Sequence, residues 1–208
     1  MPSSATKSEL RQHFDATRKA MDRGAITDRS KRIARHVLNL PAIRGASCVH
    51  AYWPIPEQNE VDTRYIIDAL VERDVDVALP VVTSFEAGTP EMAHRRFTGR
   101  SDLQRNEWNI AEPIDGPEVL LSNIDAVIVP ALGAGLNGHR IGHGWGYYDA
   151  FLKDLDPSIP RILLAFDDCV RPHVPCDAHD IPVHIIVTES GLHKVASPDD
   201  APDAAGQP

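Results

Sequence analysis

What most constrains this chain is a set of five short apolar runs, each closed by proline or a polar residue and separated from the next by segments of other periodicity. They are "SCVHAYW" before Pro54, "VDVALP" ending at Pro80, "DAVIVP" ending at Pro130, "RILLAF" before Asp167 and "VHIIVT" from Val183. None keeps up the polar alternation of a strand with one wet face. Strands apolar on both sides need cover on both sides, and a parallel sheet layered between helices supplies it.

The intervening periodicity agrees. Val61 to Glu72, Lys7 to Met21 and Asp28 to Leu40 carry apolar residues at helical intervals, with Thr27 or Asp28 as a cap for the last. The fold class expected is α/β: a layered, largely parallel sheet flanked by helices, Rossmann-like, in a single domain over 1–195. At 208 residues the chain can bury one sizeable core, and no repeat or linker divides it. "EMAHRRF" (Glu91 to Phe97) reads as an edge strand and "GRSDLQRNEWNIAEP" as a loop with a short turn. The segment 196–208, with "SPDDAPDAAGQP" from Ser197, lacks large apolar residues and is expected to be a disordered tail.

A formal net charge of -9 argues against a general binder of nucleic acid or of anionic membranes. No apolar run reaches the length of a membrane span, and "MPSSATKSELRQ" has no signal-like apolar core, so a cytoplasmic protein is expected. The three cysteines, Cys48, Cys169 and Cys176, are odd in number and lack C-x-x-C spacing, which fits reduced thiols.

In open α/β sheets ligands collect beyond the carboxyl ends of the strands. That rule places five segments on one rim: Pro54 to Thr63, the segment after Pro80, the glycine-rich stretch after Pro130, "DDCVRPHVPCDAHD" after Phe166, and Glu189. The third is the most informative. In "GHRIGHGWGYYDAFL", Gly142, Gly144 and Gly146 precede a helix expected from about Tyr147. Bare backbone N–H groups and a helix N-terminus favour a phosphate, and a nucleotide is the leading guest. Taken alone, a tight surface turn stays open as a reading. The stretch is neither the dinucleotide fingerprint nor a P-loop, because Gly142 comes about a dozen residues after its strand and no Lys-Ser or Lys-Thr follows. His139 and His143 have the i,i+4 spacing of zinc ligands on a helix, but the glycines between and beside them argue against a helix there.

The complete pattern "PALGAGLNGHRIGHGWGYYDAFL" resembles the signature of the 5-formyltetrahydrofolate cyclo-ligase (methenyltetrahydrofolate synthetase) family, in which G-x-R-L/I-G-x-G-x-G-Y-Y-D-x-x-L follows a strand ending in proline. Lys7-x-x-Leu10-Arg11, with Arg18 further on, is similar to the family's opening helix. "NEVDT" (Asn59 to Thr63), "IAEP" (Ile110 to Pro113) and "VPCDAHDIPVHIIVTE" are similar to later elements in the right order.

The resemblance implies that ATP phosphorylates the formyl oxygen of 5-formyltetrahydrofolate, a neighbouring nitrogen attacks, and loss of phosphate closes the ring to 5,10-methenyltetrahydrofolate. It implies ATP contacts from Lys7, Arg11 and the run Arg140, Ile141, Gly142, His143, Gly144, Trp145, Gly146, Tyr147 and Tyr148, with Arg140 and Tyr148 at the reacting groups. Reduced folate would meet Ile55, Glu60, Trp145, Tyr147 and Tyr148, and Mg²⁺ would be held by Asp149 and Asp180. Each has a plainer reading. Lys7 and Arg11 share a helix face that could simply be solvated; Glu60 could cap a helix starting near Asp62; the two acids could be helix-end or turn residues. One tyrosine is expected in the core and one in the folate pocket, and Trp53 and Trp108 are expected chiefly in the core.

Two departures from the family pattern bear on specificity. His143 and Trp145 stand where many members have basic residues, and Ala134 and Gly135 where Phe-Asp is usual. They keep open a paralogue for another pterin-like ligand and a non-catalytic nucleotide-binding module. A monomer or weak homodimer is expected.

Overall fold

The computed structural model describes residues 5–86 and 88–195, so the tail at 196–208 lies outside the described residues. Helix α1 (Lys7–Lys19) opens with a capping box: the Thr6 hydroxyl accepts from the Glu9 N–H, and the Glu9 carboxylate accepts from the Thr6 N–H. Helix α2 (Arg23–Leu38) starts earlier than its periodicity suggests. Asp22, rather than Thr27 or Asp28, is the N-cap, its carboxylate accepting from Gly24 and Ala25 N–H. Gly24 hides this start in the sequence, yet the cap satisfies first-turn donors that have no partner within the helix. Asp22→Ala is expected to cost about 1 kcal/mol, seen in thermal circular dichroism as a Tm lower by about 2–4 °C.

The short α3 (Pro41–Arg44), α4 (Arg64–Val71) and α5 (Tyr147–Asp154) complete the helices used here. The strands are β1 (Cys48–His50), β2 (Asp76–Ser84), β3 (Glu91–Arg96), β4 (Leu103–Arg105), β5 (Ala111–Pro113) and β6 (Ala126–Val129). After them come β7 (Gly133–Gly135), β8 (Arg140–Ile141), β9 (Arg161–Leu164), β10 (Val170–Arg171), β11 (Ile185–Val187) and β12 (Leu192–Lys194).

All five apolar runs form strands of one seven-stranded sheet, ordered β12-β11-β9-β6-β1-β2-β3. Its five inner strands pair in parallel, and the edges β3 and β12 are antiparallel. Strand β6 shows why its run is unbroken by polar residues. Ile128 faces the layer of α2 and α4, with Ile33, Ile66 and Leu70, while Val127 and Val129 face α5, with Phe151 and Leu152. Both faces are covered, as a parallel sheet requires.

Strand β2 does not stop at Pro80, as its sequence suggests, but runs on to Ser84. Pro80 lies opposite His94, whose carbonyl accepts from Val119 N–H and so points away from β2. Pro80 therefore occupies a position that owes β3 no hydrogen bond. The segment expected as a loop contains an antiparallel β4–β5 ladder, and α4 begins at Arg64 rather than near Val61.

A small second sheet, β10-β7-β8, carries the glycine-rich stretch. Helix α1 packs on it through Leu10 and Phe14, against Leu132, Ile141, Cys169 and Val174. A Cβ on Gly133 would lie 2.3 Å from the Phe14 ring, so glycine lets helix and strand touch. At Gly135 a Cβ would meet Asn137 Oδ1 at 2.1 Å, and Asn137 also donates to Val174 O at 3.0 Å. Phe14 and Asn137 thus fill volume beside two positions where this chain has little side chain of its own.

Candidate active site

A cavity of about 400 Å³ opens beyond the carboxyl ends of β1, β2 and β6 and reaches the glycine-rich loop. Every residue expected to contact ATP, folate or metal lines it: Lys7, Arg11, Ile55, Glu60, the whole run Arg140 to Asp149, and Asp180. Glu189 and the first residues of the segment after Phe166 do not contribute as expected, although that segment's end brings Asp177, His179 and Asp180 to the cavity. Glu189 is buried against Arg29 and the Asp167 N–H instead, and the 3-10 turn Asp167–Cys169 turns away from the cavity.

One end of the cavity is charged. Arg140, whose side chain is 7% exposed, donates to Asp149 at 2.7 Å and to the Ile181 carbonyl at 2.8 Å. Asp149 accepts a further hydrogen bond from Ile181 N–H, so the pair ties α5 to the segment before β11. Lys7 bridges Asp177 and Asp180. Arg11 donates to the Gly142 carbonyl at 2.9 Å, and its guanidinium lies 3.2 Å from where a Gly144 Cβ would stand. Gly144 and Gly146 have φ of 98° and 81°, a region that favours glycine, and Gly146 is the bare N-cap of α5. Lys7 and Arg140 thus meet three carboxylates between them, while Arg11 rests on a backbone carbonyl.

The other end is apolar and closes on Glu60. Its carboxylate accepts from Ile55 N–H at 2.8 Å and is nearly buried. It does not cap α4, whose N-cap is Thr63. Burial pushes the Glu60 carboxyl up, while the Ile55 N–H and Arg18 pull it back. His143 Nε2 stands 4.0 Å from Glu60. Burial, Arg18 and Arg11 hold this imidazole below its ordinary value against the opposing pull of Asp15, so at neutral pH it is a neutral side chain rather than a replacement cation.

The two tyrosines do not divide as expected: both line the cavity. Tyr147 donates to the Ser84 carbonyl. Tyr148 packs its ring near His50 and Phe151, and its buried hydroxyl has no protein partner among the described residues. Nor is Trp108 a core residue. It stacks on the exposed Trp145 with centroids 4.9 Å apart, and Phe85 and Tyr147 meet its edge or face at 4.8 and 5.7 Å. Trp53 does both, packing on the core through Phe97 while lining the cavity.

The model of the 5-formyltetrahydrofolate cyclo-ligase family matches residues 3–189. The chain belongs to this family. The mouse 5-formyltetrahydrofolate cyclo-ligase is 31% identical over 145 residues, covering 64% of this chain and 69% of its own. That of Escherichia coli K12 is 32% identical over 134 residues, covering 63% and 72%. Among solved structures, the Aquifex aeolicus 5,10-methenyltetrahydrofolate synthetase superposes with a TM-score of 0.79 at 28% identity, over 92% of this chain and 93% of that one.

Within this cyclo-ligase fold several cavity residues escaped the sequence reading. Glu112 lies in the "IAEP" element, whose sequence alone gives its acid no role. It is nearly buried, accepts from Val82 N–H at 2.9 Å, and is pushed up by burial against the pull of that N–H and Asn106. Tyr52 also lines the cavity, but a tyrosine inside an apolar run reads as core. Asp177 and His179 join Asp180 in a group whose candidate metal-binding atoms lie within 4.8 Å of one another; their spacing in a turn-rich segment gave no signal. His139 and His143 form no such group among the described residues.

Proposed function

We propose that this protein is an ATP- and Mg²⁺-dependent 5-formyltetrahydrofolate cyclo-ligase, converting 5-formyltetrahydrofolate to 5,10-methenyltetrahydrofolate with release of ADP and phosphate. The observation that carries the reading is a single cavity with a buried carboxylate, Glu60, at its apolar end and a glycine loop ringed by Lys7, Arg11 and Arg140 at the other. Such a cavity suits a flat heterocycle rich in N–H donors lying beside a polyphosphate.

Glu60 accepts hydrogen bonds from ring N–H groups, with Ile55, Trp145, Tyr147 and Tyr148 as walls. Lys7, Arg11 and Arg140 orient the phosphates, along with the backbone from Ile141 to Gly146, including His143. The Tyr148 hydroxyl is a free donor beside the reacting groups, and with so little covalent work asked of the protein, positioning and charge do most of the catalysis.

The charge balance bears on the metal. Lys7 is shared by Asp177 and Asp180 and Arg140 is paired with Asp149, so among these side chains Arg11, bonded to a backbone carbonyl, is the cation without a carboxylate, and a bound polyphosphate brings more negative charge than it offsets. Asp149 and Asp180 offer the oxygen ligands that Mg²⁺ favours and would hold it, and the ion would supply the missing neutralisation. We further place the protein in the cytoplasm, as a monomer or weak homodimer without nucleic-acid or membrane partners. Among the described residues no helix is long and apolar enough to cross a membrane.

The test is formation of the methenyltetrahydrofolate chromophore from 5-formyltetrahydrofolate, with ATP or Mg²⁺ omitted in turn. Turnover that requires both is expected. Its absence in folded protein would refute the assignment and favour a paralogue for another heterocycle.

A further inference from the structure

Helix α1 buries Leu10, Phe14 and Arg18, a stripe at i, i+4 and i+8. The first two are ordinary core residues; the third is an arginine only 2% exposed. Its Nη1 donates to the Ala131 carbonyl at 3.2 Å, while Nε and Nη2 are buried with no protein acceptor among the described residues. No carboxylate among those residues comes within ion-pair distance of it. A leucine would satisfy this stripe without burying a charge, so packing does not account for the arginine.

Its surroundings point to the substrate end of the cavity. Ala131 lines that cavity, and the Arg18 carbonyl accepts from the Asn59 side chain at 2.8 Å, next to Glu60 in the chain. We propose that Arg18 is a positioning residue for this site: its buried guanidinium is the fixed positive charge that keeps Glu60 a carboxylate, and so an acceptor for the incoming ring. The functional part of this inference rests on the role proposed above for Glu60.

The other groups around Glu60 do not supply that charge. Tyr52 and Tyr148 face it as neutral hydroxyls, held so by burial and by Glu60 itself. His143 is kept neutral. In the shallow hollow behind Glu60, Arg64 is engaged by Asp62 at 2.6 Å, and Arg23 is exposed, where water screens it. Arg18 acts through protein instead, and it opposes the effect of burial on the Glu60 carboxyl.

The test follows the Glu60 carboxyl directly, by ¹³C NMR of the free protein labelled at glutamate, with the signal assigned from Glu60→Gln. In Arg18→Met the midpoint is expected to rise by about one pH unit, and in Arg18→Lys to stay near that of the parent. Arg18→Gln keeps a donor for the Ala131 carbonyl without the charge and gives the same reading should the methionine variant not fold. A midpoint unmoved in a folded neutral variant would overturn the inference. In the folate reaction, the acid limb for folate should move up with the midpoint, so that below it the neutral variants raise the folate KM by up to about tenfold and recover at higher pH, with the ATP KM unchanged. A midpoint that rises while the folate KM stays constant would leave Arg18 as the counter-charge and remove Glu60 from substrate binding.

Discussion

Arg140→Ala is expected to lower kcat/KM for ATP by about a hundredfold or more, because it leaves the partly buried Asp149 carboxylate without its partner. The arginine reaches Asp149 with one arm of its fork and the Ile181 carbonyl with the other. Its loss therefore removes a cation from the phosphate end and leaves the Ile181 N–H bond to Asp149 alone to tie α5 to the segment that carries Asp180. Arg140→Lys keeps the charge but cannot span both contacts, and is expected to fall between alanine and the parent. Steady-state kinetics with each substrate varied separate the two consequences. A loss concentrated in the ATP parameters supports the placement of the triphosphate; unchanged ATP dependence in a folded variant would show that the phosphates lie elsewhere.

That these residues line one cavity was legible in the sequence because the elements that carry them are local. Gly142, Gly144 and Gly146 stand directly before α5, and Lys7 and Arg11 sit one turn apart on α1. The five core strands were legible for a related reason: a strand covered on both faces needs an unbroken apolar run, and such runs leave few alternatives. The second sheet was not legible. Its strands, such as Gly133–Gly135 and Val170–Arg171, are two or three residues long, too short for a period to develop, and "GAG" has no preference for a strand. They form because α1 presses Phe14 against Gly133 and Asn137 clasps Val174, contacts between segments far apart in the chain.

Long range also explains what was missed in the site. Trp108 was expected in the core because an indole in a mixed segment usually packs inward. Asn106 instead accepts from Trp108 and Ile110 N–H, and the turn it holds sets the indole against Trp145. Glu189 was placed on the rim because it follows a core strand, but Arg29 on α2 claims its carboxylate. The rule that ligands gather at strand ends selected the edge of the sheet where the cavity opens; which end residues face the cavity depended on partners that no local pattern records.

The second large effect concerns Glu60. Glu60→Gln retains the size of the side chain and an oxygen that can accept from Ile55 N–H, but removes the charge that strengthens hydrogen bonds to ring N–H groups. A charge-assisted hydrogen bond contributes about 1.5–3 kcal/mol, so the folate KM is expected to rise by about 10- to 100-fold with the ATP KM unchanged. The pH dependence gives the sign. A protonated Glu60 becomes a donor where an acceptor is needed, so folate binding weakens as pH falls through its titration. Burial raises that titration above the ordinary carboxyl range, which brings the weakening closer to neutrality. Glutamine does not titrate, so the variant should bind folate weakly and equally across the same window. Trp145 and Trp108 at the cavity mouth make the comparison measurable by tryptophan fluorescence without turnover. A variant that kept the parent's acid limb would assign that limb to another group, with the buried Glu112 the first to replace.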